Sequence, residues 1–155
     1  MLLKWILVIL HIITAAAWFG IGLRLTGQAR AVLQHDGDAR QALVDEGGQS
    51  VWLMNLFVVL TLIFSIAAFV AGGHFSTYGP VYHTALLLIV ILTADQLVVI
   101  RGGWSKLSAL VGEAAPATDA LESAKRRVAI GTGVGHLIWL VLLVLMFANR
   151  LVPAL

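Results

Sequence analysis

The sequence predicts an all-α integral membrane protein, in which a single domain of residues 1–155 forms a bundle of four transmembrane helices. Composition is the first reason: 60% of the residues are hydrophobic and 12% are charged, whereas soluble domains carry about 25% charged residues. Length is the second reason, because a hydrocarbon core about 30 Å thick needs about 20 apolar residues per helix. Four segments reach that length, at about residues 2–23, 51–71, 82–100 and 128–149.

The first of these segments has some features of a signal peptide. Lys4 precedes an apolar run, and the small residues 15–17 follow it. The run is longer than the apolar region of a signal peptide, however, and it contains His11 and Trp18. We therefore interpret it as a retained transmembrane helix.

The connections between the spans predict the topology. Two of them, residues 24–50 and 101–127, hold eight of the ten Lys and Arg residues, and only Lys4 and Arg150 lie on the other side. The excess of Lys and Arg in cytoplasmic loops places these two connections in the cytoplasm and both termini outside. We expect the membrane to be a bacterial inner (plasma) membrane.

Each of these connections also predicts local structure. The first alternates apolar and charged residues, with breaks at Gly37 and at Gly47 to Gly48, so we expect it to extend the first helix by a few turns and to add a short surface helix. The second contains Pro116 and then TDALE, which predicts a helix that starts near Asp119 and runs into the fourth span.

Several classes of function are not expected. The chain has no cysteine, which excludes disulfides, thiolate metal sites and cysteine nucleophiles. Its net charge is only +2, and the basic residues lie beside the spans, so we expect no nucleic-acid partner. The string GTGVGH opens a membrane helix without a preceding strand, unlike a nucleotide-binding loop. No catalytic triad, carboxylate pair or zinc-binding spacing is present in the sequence, and whether the protein is an enzyme stays open.

A histidine in the first span is the leading candidate for function. His11 lies in the apolar stretch ILHIITAAAWFG, and His11, Ala15, Trp18 and Gly22 follow one another at spacings of 4, 3 and 4, which is one stripe of a helix. Such a stripe is suited to line a tetrapyrrole or quinone pocket. The alternative is that His11 makes one hydrogen bond to a neighbouring helix and that Trp18 anchors the helix at the membrane interface.

A second histidine, His136, lies in the fourth span. At a rise of about 1.5 Å per residue, His11 is roughly 13 to 14 Å and His136 roughly 20 Å from the same membrane face. We expect both imidazoles to face one cavity and to act as two metal ligands. Gly131, Gly133 and Gly135 precede His136 and leave space for a flat ligand. The alternative is helix packing through Gly131 and Gly135.

Two further polar residues lie in the third span. His83 opens it near the outer surface, where it would touch a lipid headgroup, a quinone or the edge of a haem. Asp95 interrupts it, and a carboxylate at that depth costs about 2.5 to 3.5 kcal/mol unless it is protonated or paired. Arg24, Arg101 and Arg127 lie at the same end of the bundle. An ion pair of Asp95 with one of these arginines and a proton relay through Asp95 are the two interpretations.

Three segments carry a family resemblance. KWILVILHIITAAAWFGIGLRL, YHTALLLIVIL and RRVAIGTGVGHLIWLVLLVLMF resemble the first, third and last spans of the HemJ type of protoporphyrinogen oxidase and of the related copper resistance D domain. The resemblance implies a four-helix bundle that binds haem b, with His11 as an axial ligand and His83 beside the tetrapyrrole. The family pattern has a lysine where this chain has Ala85, which argues against porphyrinogen oxidation, and His136 suggests a second haem ligand.

Three functions therefore remain. The first is a membrane protein that binds haem b and has a redox or electron-transfer role, with a quinone or a porphyrin-type donor. The second is a structural or accessory subunit that binds other protein subunits or forms a homo-oligomer. The third is a small proton-coupled carrier that uses Asp95.

Overall fold

The computed structural model describes residues 2–73, 80–113 and 117–151, and these residues are almost entirely helical. The elements in chain order are α1 (Leu2–Gln34), α2 (Gly37–Ala71), α3 (Pro80–Ala94), a π-helical turn (Asp95–Ile100), α4 (Arg101–Val111) and α5 (Thr118–Leu151). The π turn joins α3 and α4 into one continuous helix. Four helices of the described residues are long and apolar enough to cross a membrane, with Val81–Val111 as the third. The all-α four-helix architecture is thus confirmed.

The helices form a closed four-membered arrangement. α1 packs on α2 and on α5, and the third span packs on the same two neighbours. The third span therefore lies diagonally across the bundle from α1. Side chains that leave α1 and the π turn towards the centre of the bundle can meet there.

The first connection is shorter than the sequence predicts. α1 does extend beyond the apolar segment, to Gln34, and Gly37 adopts a φ of +56° at the start of α2. The expected surface helix is wrong, because α2 continues without a break from Gly37 to Ala71. The expected break at Gly47 is also wrong. A Cβ on this residue would overlap the ring of Trp104, so the glycine lets α2 and α4 pack closely and does not interrupt α2.

In the second connection, the helix that follows starts where the sequence predicts, but the helix that precedes it ends later than predicted. α5 begins at Thr118, next to the predicted start at Asp119, and runs through the fourth span. The third span is longer than predicted, because α4 carries it past Ile100 to Val111. Gly103 and Trp104 explain this extension, since both are buried against neighbouring helices and hold α4 on the bundle.

The buried residues are distributed unevenly along the bundle. We divide each span at its outermost buried residue. Residues 14–61, 89–113 and 117–135, which include the arginine-rich connections, are the basic half, and residues 2–13, 62–71, 80–88 and 136–147 are the terminal half. The buried residues of the described chain thus extend from residues 14, 61, 89 and 135 towards the arginine-rich connections. The terminal half therefore exposes its apolar side chains, as expected of helices that face lipid.

Candidate ligand site and buried polar layer

His11 is held in one orientation by α2. Its Nδ1 atom lies 2.9 Å from Ser65 Oγ and 3.4 Å from the carbonyl oxygen of Thr61. Ser65 Oγ has a single hydrogen, which it donates to that same Thr61 carbonyl at 2.7 Å. The hydroxyl therefore accepts from His11, and we assign the ring proton to Nδ1. This leaves the lone pair on Nε2, which has no hydrogen-bond partner among the described residues.

The ring of His11 lines an apolar cavity of about 240 Å³. Ala15 and Trp18, from the same stripe of α1, also line it, as the sequence predicts. The opposite wall comes from three other helices and consists of Val58, Ile89, Leu92, Trp139, Leu142 and Met146, among others. His11 is the one ionisable side chain of this lining, so the cavity offers a ligand an apolar surface and a single strong polar contact.

A chain of hydrogen bonds crosses the bundle at the inner end of this cavity. Trp18 is 1% exposed and donates from Nε1 to Gln96 Oε1 at 3.1 Å. Gln96, which is fully buried, donates from Nε2 to Asn55 Oδ1 at 2.8 Å. These bonds join α1, the π turn and α2. Trp18 is therefore not an anchor at the membrane interface, because it is sealed in the centre of the bundle.

His136 does not face the cavity that His11 lines. Its Nε2 atom lies against α1 at Gly22, where a Cβ would be only 2.7 Å away. The rings of Trp18 and Phe19 flank it, with centroids 5.7 and 4.7 Å from the imidazole centroid. Along α1, Gly22 is eleven residues from His11, or about 16 Å. The expectation that both imidazoles face one cavity is wrong.

The ends of α1 and α5 do not lie at one level. His136 is fifteen residues from the end of α5, about 22 Å, whereas Gly22 is twenty residues from the start of α1, about 30 Å. The two residues nevertheless touch. α1 therefore extends about 8 Å further than α5 towards the terminal end, and this offset separates two histidines that the sequence places at similar depths.

One haem does not fit between His11 and His136. Two imidazoles that bind one metal ion have their ligand nitrogens about 4 Å apart, because each metal–nitrogen bond is about 2 Å long. Here the residues are about three helical turns apart along α1, and the Nε2 atom of His136 is sealed from solvent by its neighbours. No group of three or more potential metal ligands of the His, Cys, Asp and Glu types occurs in the described part of the chain.

The glycines of α5 serve helix packing instead of opening a ligand space. A Cβ on Gly131 would lie 2.9 Å from Ile100 of the π turn, and a Cβ on Gly135 would lie 2.9 Å from the Trp18 ring. Side chains of the protein itself therefore occupy the space that these glycines leave. The expectation of a bulky ligand beside Gly131 and Gly135 is wrong, and their alternative role in close packing is the one observed.

Asp95 begins the π turn and has no ion-pair partner among the described residues. Its Oδ2 atom is buried without a hydrogen-bond partner, 3.3 Å from the position of a Cβ on Gly135. Arg24 instead pairs with Glu46 at 3.7 Å, and Arg127 donates from Nη2 to the carbonyl oxygen of Val98 at 3.0 Å. The expected ion pair of Asp95 with an arginine is therefore wrong for the described residues. α5 presents Gly135, not an arginine, to this carboxylate.

Two more unpartnered polar atoms lie on the same face of α5. Thr132 Oγ1 and His136 Nε2 are buried without a hydrogen-bond partner among the described residues, as is Asp95 Oδ2. Thr132 precedes Gly135 by three residues and His136 by four, which makes them neighbours on one helix face. Buried polar atoms normally have a hydrogen-bond partner, so α5 carries an unusual group of unsatisfied polar atoms on this face.

The remaining predicted residue, His83, does not join the site. It lies exposed in the first turn of α3, and it does not line the cavity. Sequence reasoning missed Gln96, which directly follows Asp95, Thr132, which lies about one helical turn before His136, and Ser65, which lies on a helix where it selected no site residue. Gln96 carried a usable signal, since a glutamine directly after Asp95 in an apolar span requires partners.

Comparison of the chain with protein-family models, with curated proteins and with solved structures found no match. The geometry of the site therefore carries the functional argument.

Proposed function

We propose that the protein is an integral membrane protein with a redox or electron-transfer role, which binds a lipid-soluble quinol or quinone in the cavity at His11. The observation that carries this proposal is the state of the imidazole: Ser65 fixes its Nδ1–H, and the ring lines an apolar cavity with Nε2 unpaired among the described residues. A quinol has a flat apolar ring and hydroxyl groups that donate to such an acceptor.

The dimensions and the position of the cavity support this class of ligand. An apolar protein cavity of about 150 Å³ is known to hold a benzene molecule, and this cavity has about 240 Å³. It therefore admits one substituted six-membered ring, whereas a whole tetrapyrrole is much larger. The terminal half around it has no buried side chain among the described residues, so an isoprenoid tail has a path into the lipid.

Fluorescence provides a direct test, because Trp18 and Trp139 line the cavity. Delipidated protein in detergent is titrated with a short-tailed benzoquinol and with the corresponding quinone, and the quenching of tryptophan emission is measured. His11→Ala removes one hydrogen bond and should weaken quinol binding by up to about tenfold. His83→Ala is the matched control, since His83 does not line the cavity. Equal affinity of the wild type and His11→Ala would refute the proposal.

Haem b at His11 alone stays a prediction, and the same sample tests it. A histidine that binds a metal typically donates its other ring N–H to a nearby acceptor, as His11 does to Ser65. An absorption spectrum of the purified protein decides the matter. If the wild type has a Soret band that is absent in His11→Ala, the ligand at His11 is haem b and not a quinol. If the wild-type spectrum has no Soret band, haem is excluded.

The unpartnered atoms near Asp95 favour a second candidate function, proton-coupled transport. Asp95, Thr132 and His136 supply buried groups that exchange protons or hold water at mid-membrane depth. In proteoliposomes with an imposed pH gradient, proton flux measured with an internal pH dye should fall in Asp95→Asn. Flux equal to that of empty vesicles in the wild type would remove this candidate.

The arginine-rich connections support an orientation with both termini outside, and a bacterial inner membrane stays a prediction. The chain has no cysteine, so single cysteines report their own side of the membrane. We expect a membrane-impermeant maleimide to label Ser76→Cys in intact cells, and to label Asp38→Cys only after the cells are lysed. The reverse labelling pattern would show that both termini lie in the cytoplasm.

A further inference from the structure

A second, larger concavity lies between α2 and α4, and the proposed function does not use it. This groove has a volume of about 950 Å³. One wall is formed by Asp45, Gly48 and Trp52 of α2, and the other by Arg101, Trp104 and Ser108 of α4, with further residues between them. It differs from the cavity at His11 in having polar and charged groups along its length.

The groove crosses the level at which the hydrocarbon core of the membrane ends. Val51 and Asn55 lie within the apolar segment of α2, whereas Asp45 and Gln49 lie before its start. On the other wall, Arg101 directly follows the apolar part of the third span. Trp52 is 62% exposed, and tryptophan is enriched at this depth of a membrane. An occupant of the groove therefore meets headgroup at one end and acyl chain at the other.

The two charged groups of the groove have opposite sign and are not paired. No ion pair joins Asp45 to Arg101 within the described residues, whose ion pairs lie elsewhere. Asp45 accepts a hydrogen bond from Gln41 Nε2 at Oδ1, at 3.0 Å, and its second oxygen remains available. The groove thus presents one anionic and one cationic group to the same occupant.

Trp104 contributes an apolar surface to the groove. Its side chain is 4% exposed, and its Nε1 atom, 3.7 Å from the position of a Cβ on Gly48, is buried. The charged groups that meet an occupant of the groove are therefore those of Asp45 and Arg101.

We propose that the groove binds the headgroup of a zwitterionic phospholipid that carries a primary ammonium group, as phosphatidylethanolamine does. Arg101 binds the phosphate, and Asp45 binds the ammonium group. The charge pattern selects for this headgroup, because a lipid with only a phosphate leaves Asp45 unpaired. A quaternary ammonium group has no N–H to donate to Asp45. The assignment does not depend on quinol binding at His11.

Native mass spectrometry of the delipidated full-length protein tests the assignment with three dioleoyl lipids, phosphatidylethanolamine, phosphatidylcholine and phosphatidylglycerol. We expect phosphatidylethanolamine to bind about threefold to tenfold more tightly than either other lipid, the range for one charge-assisted hydrogen bond at a partly exposed site. Equal binding of phosphatidylethanolamine and phosphatidylcholine, or a preference for phosphatidylglycerol, overturns the proposal. This comparison uses the wild-type protein and needs no variant.

Two variants assign the contacts. Asp45→Asn should reduce the affinity for phosphatidylethanolamine to that for phosphatidylcholine, which should itself be unchanged. Arg101→Gln should weaken both lipids to a similar extent and preserve their ratio. Lys106→Gln is the matched control, because Lys106 is exposed on α4 but does not line the groove. An unchanged preference for phosphatidylethanolamine in Asp45→Asn contradicts the assignment.

Discussion

The two halves of the bundle differ in how closely their helices pack. In the basic half, glycines bring helices into contact with large rings: Trp104 lies on Gly47, and Trp18 lies on Gly135. In the terminal half, the described side chains remain at least partly exposed, and a cavity opens beside His11. The terminal half is the more apolar in sequence, since Lys4 is its one charged residue, yet it is the less closely packed, so apolar composition alone does not determine packing.

The difference assigns separate roles to the two halves. Lipid chains are as apolar as a helix surface, so close packing and hydrogen bonds hold transmembrane helices together. These interactions are concentrated in the basic half, which therefore supplies most of the stability. The terminal half is open to lipid, and the cavity for the ligand lies where it meets the basic half. We therefore expect substitutions at packed contacts to lower the stability, and substitutions in the cavity at His11 to reduce ligand binding.

The largest effect is expected at the closest contact. In Gly47→Ala the new Cβ would overlap the Trp104 ring, and overpacking of this kind costs about 1 to 3 kcal/mol or more. The free energy of unfolding, measured by denaturation in mixed micelles, should fall by that amount. Gly27→Ala is the control, because nothing lies within 4 Å of the new Cβ there. A neutral Gly47→Ala would show that the basic half is not closely packed.

A smaller loss is expected for the central hydrogen bonds. Gln96→Met keeps most of the side-chain volume but leaves Trp18 Nε1 and Asn55 Oδ1 without their partner. Hydrogen bonds between transmembrane helices contribute about 0.6 kcal/mol each on average, so we expect a loss of about 1 kcal/mol. Gln34→Met, at the exposed end of α1, should change the stability little. Equal stability of the two variants would show that these hydrogen bonds do not contribute to the stability of the bundle.

The cavity at His11, where the two halves meet, should show the opposite behaviour, with function lost and stability kept. Ala15→Leu fills part of the cavity at His11 and should change the free energy of unfolding by less than about 0.5 kcal/mol, as at positions outside a packed core. Quenching by the benzoquinol should be lost. Ala17→Leu serves as the control, since Ala17 does not line the cavity. Retention of quenching in Ala15→Leu would place the ligand elsewhere.

The smallest effect is expected at the surface of the basic half. Arg24 and Glu46 form a 3.7 Å ion pair in which their side chains are 77% and 56% exposed. Exposed ion pairs contribute at most about 1 kcal/mol and often nothing measurable. Arg24→Gln should therefore leave the unfolding transition within error of the wild type at physiological salt. A large loss of stability in Arg24→Gln would show that surface charge contributes part of the stability that we attribute to packing.

The sequence predicts the four spans, the continuous start of α5 and the stripe of His11, Ala15 and Trp18, because each depends on local composition or helical periodicity. It does not predict which helices meet at which level. The 8 Å offset of α1 relative to α5 depends on Trp18, Gly22 and Gly135 fitting together, and these residues are far apart in the chain. For the same reason the sequence places an arginine beside Asp95, where the structure has a glycine.

The π turn at Asp95–Ile100 fixes the rotational register of everything that follows it in the third span. A π turn contains one residue more than the α-helical turn it replaces, and each residue of an α-helix advances the direction of the side chain by about 100°. Loss of one residue from this segment would therefore turn Trp104 away from Gly47 and Arg101 away from Asp45. A single extra residue inside the membrane thus determines which face of α4 meets α2, and with it the shape of the surface groove.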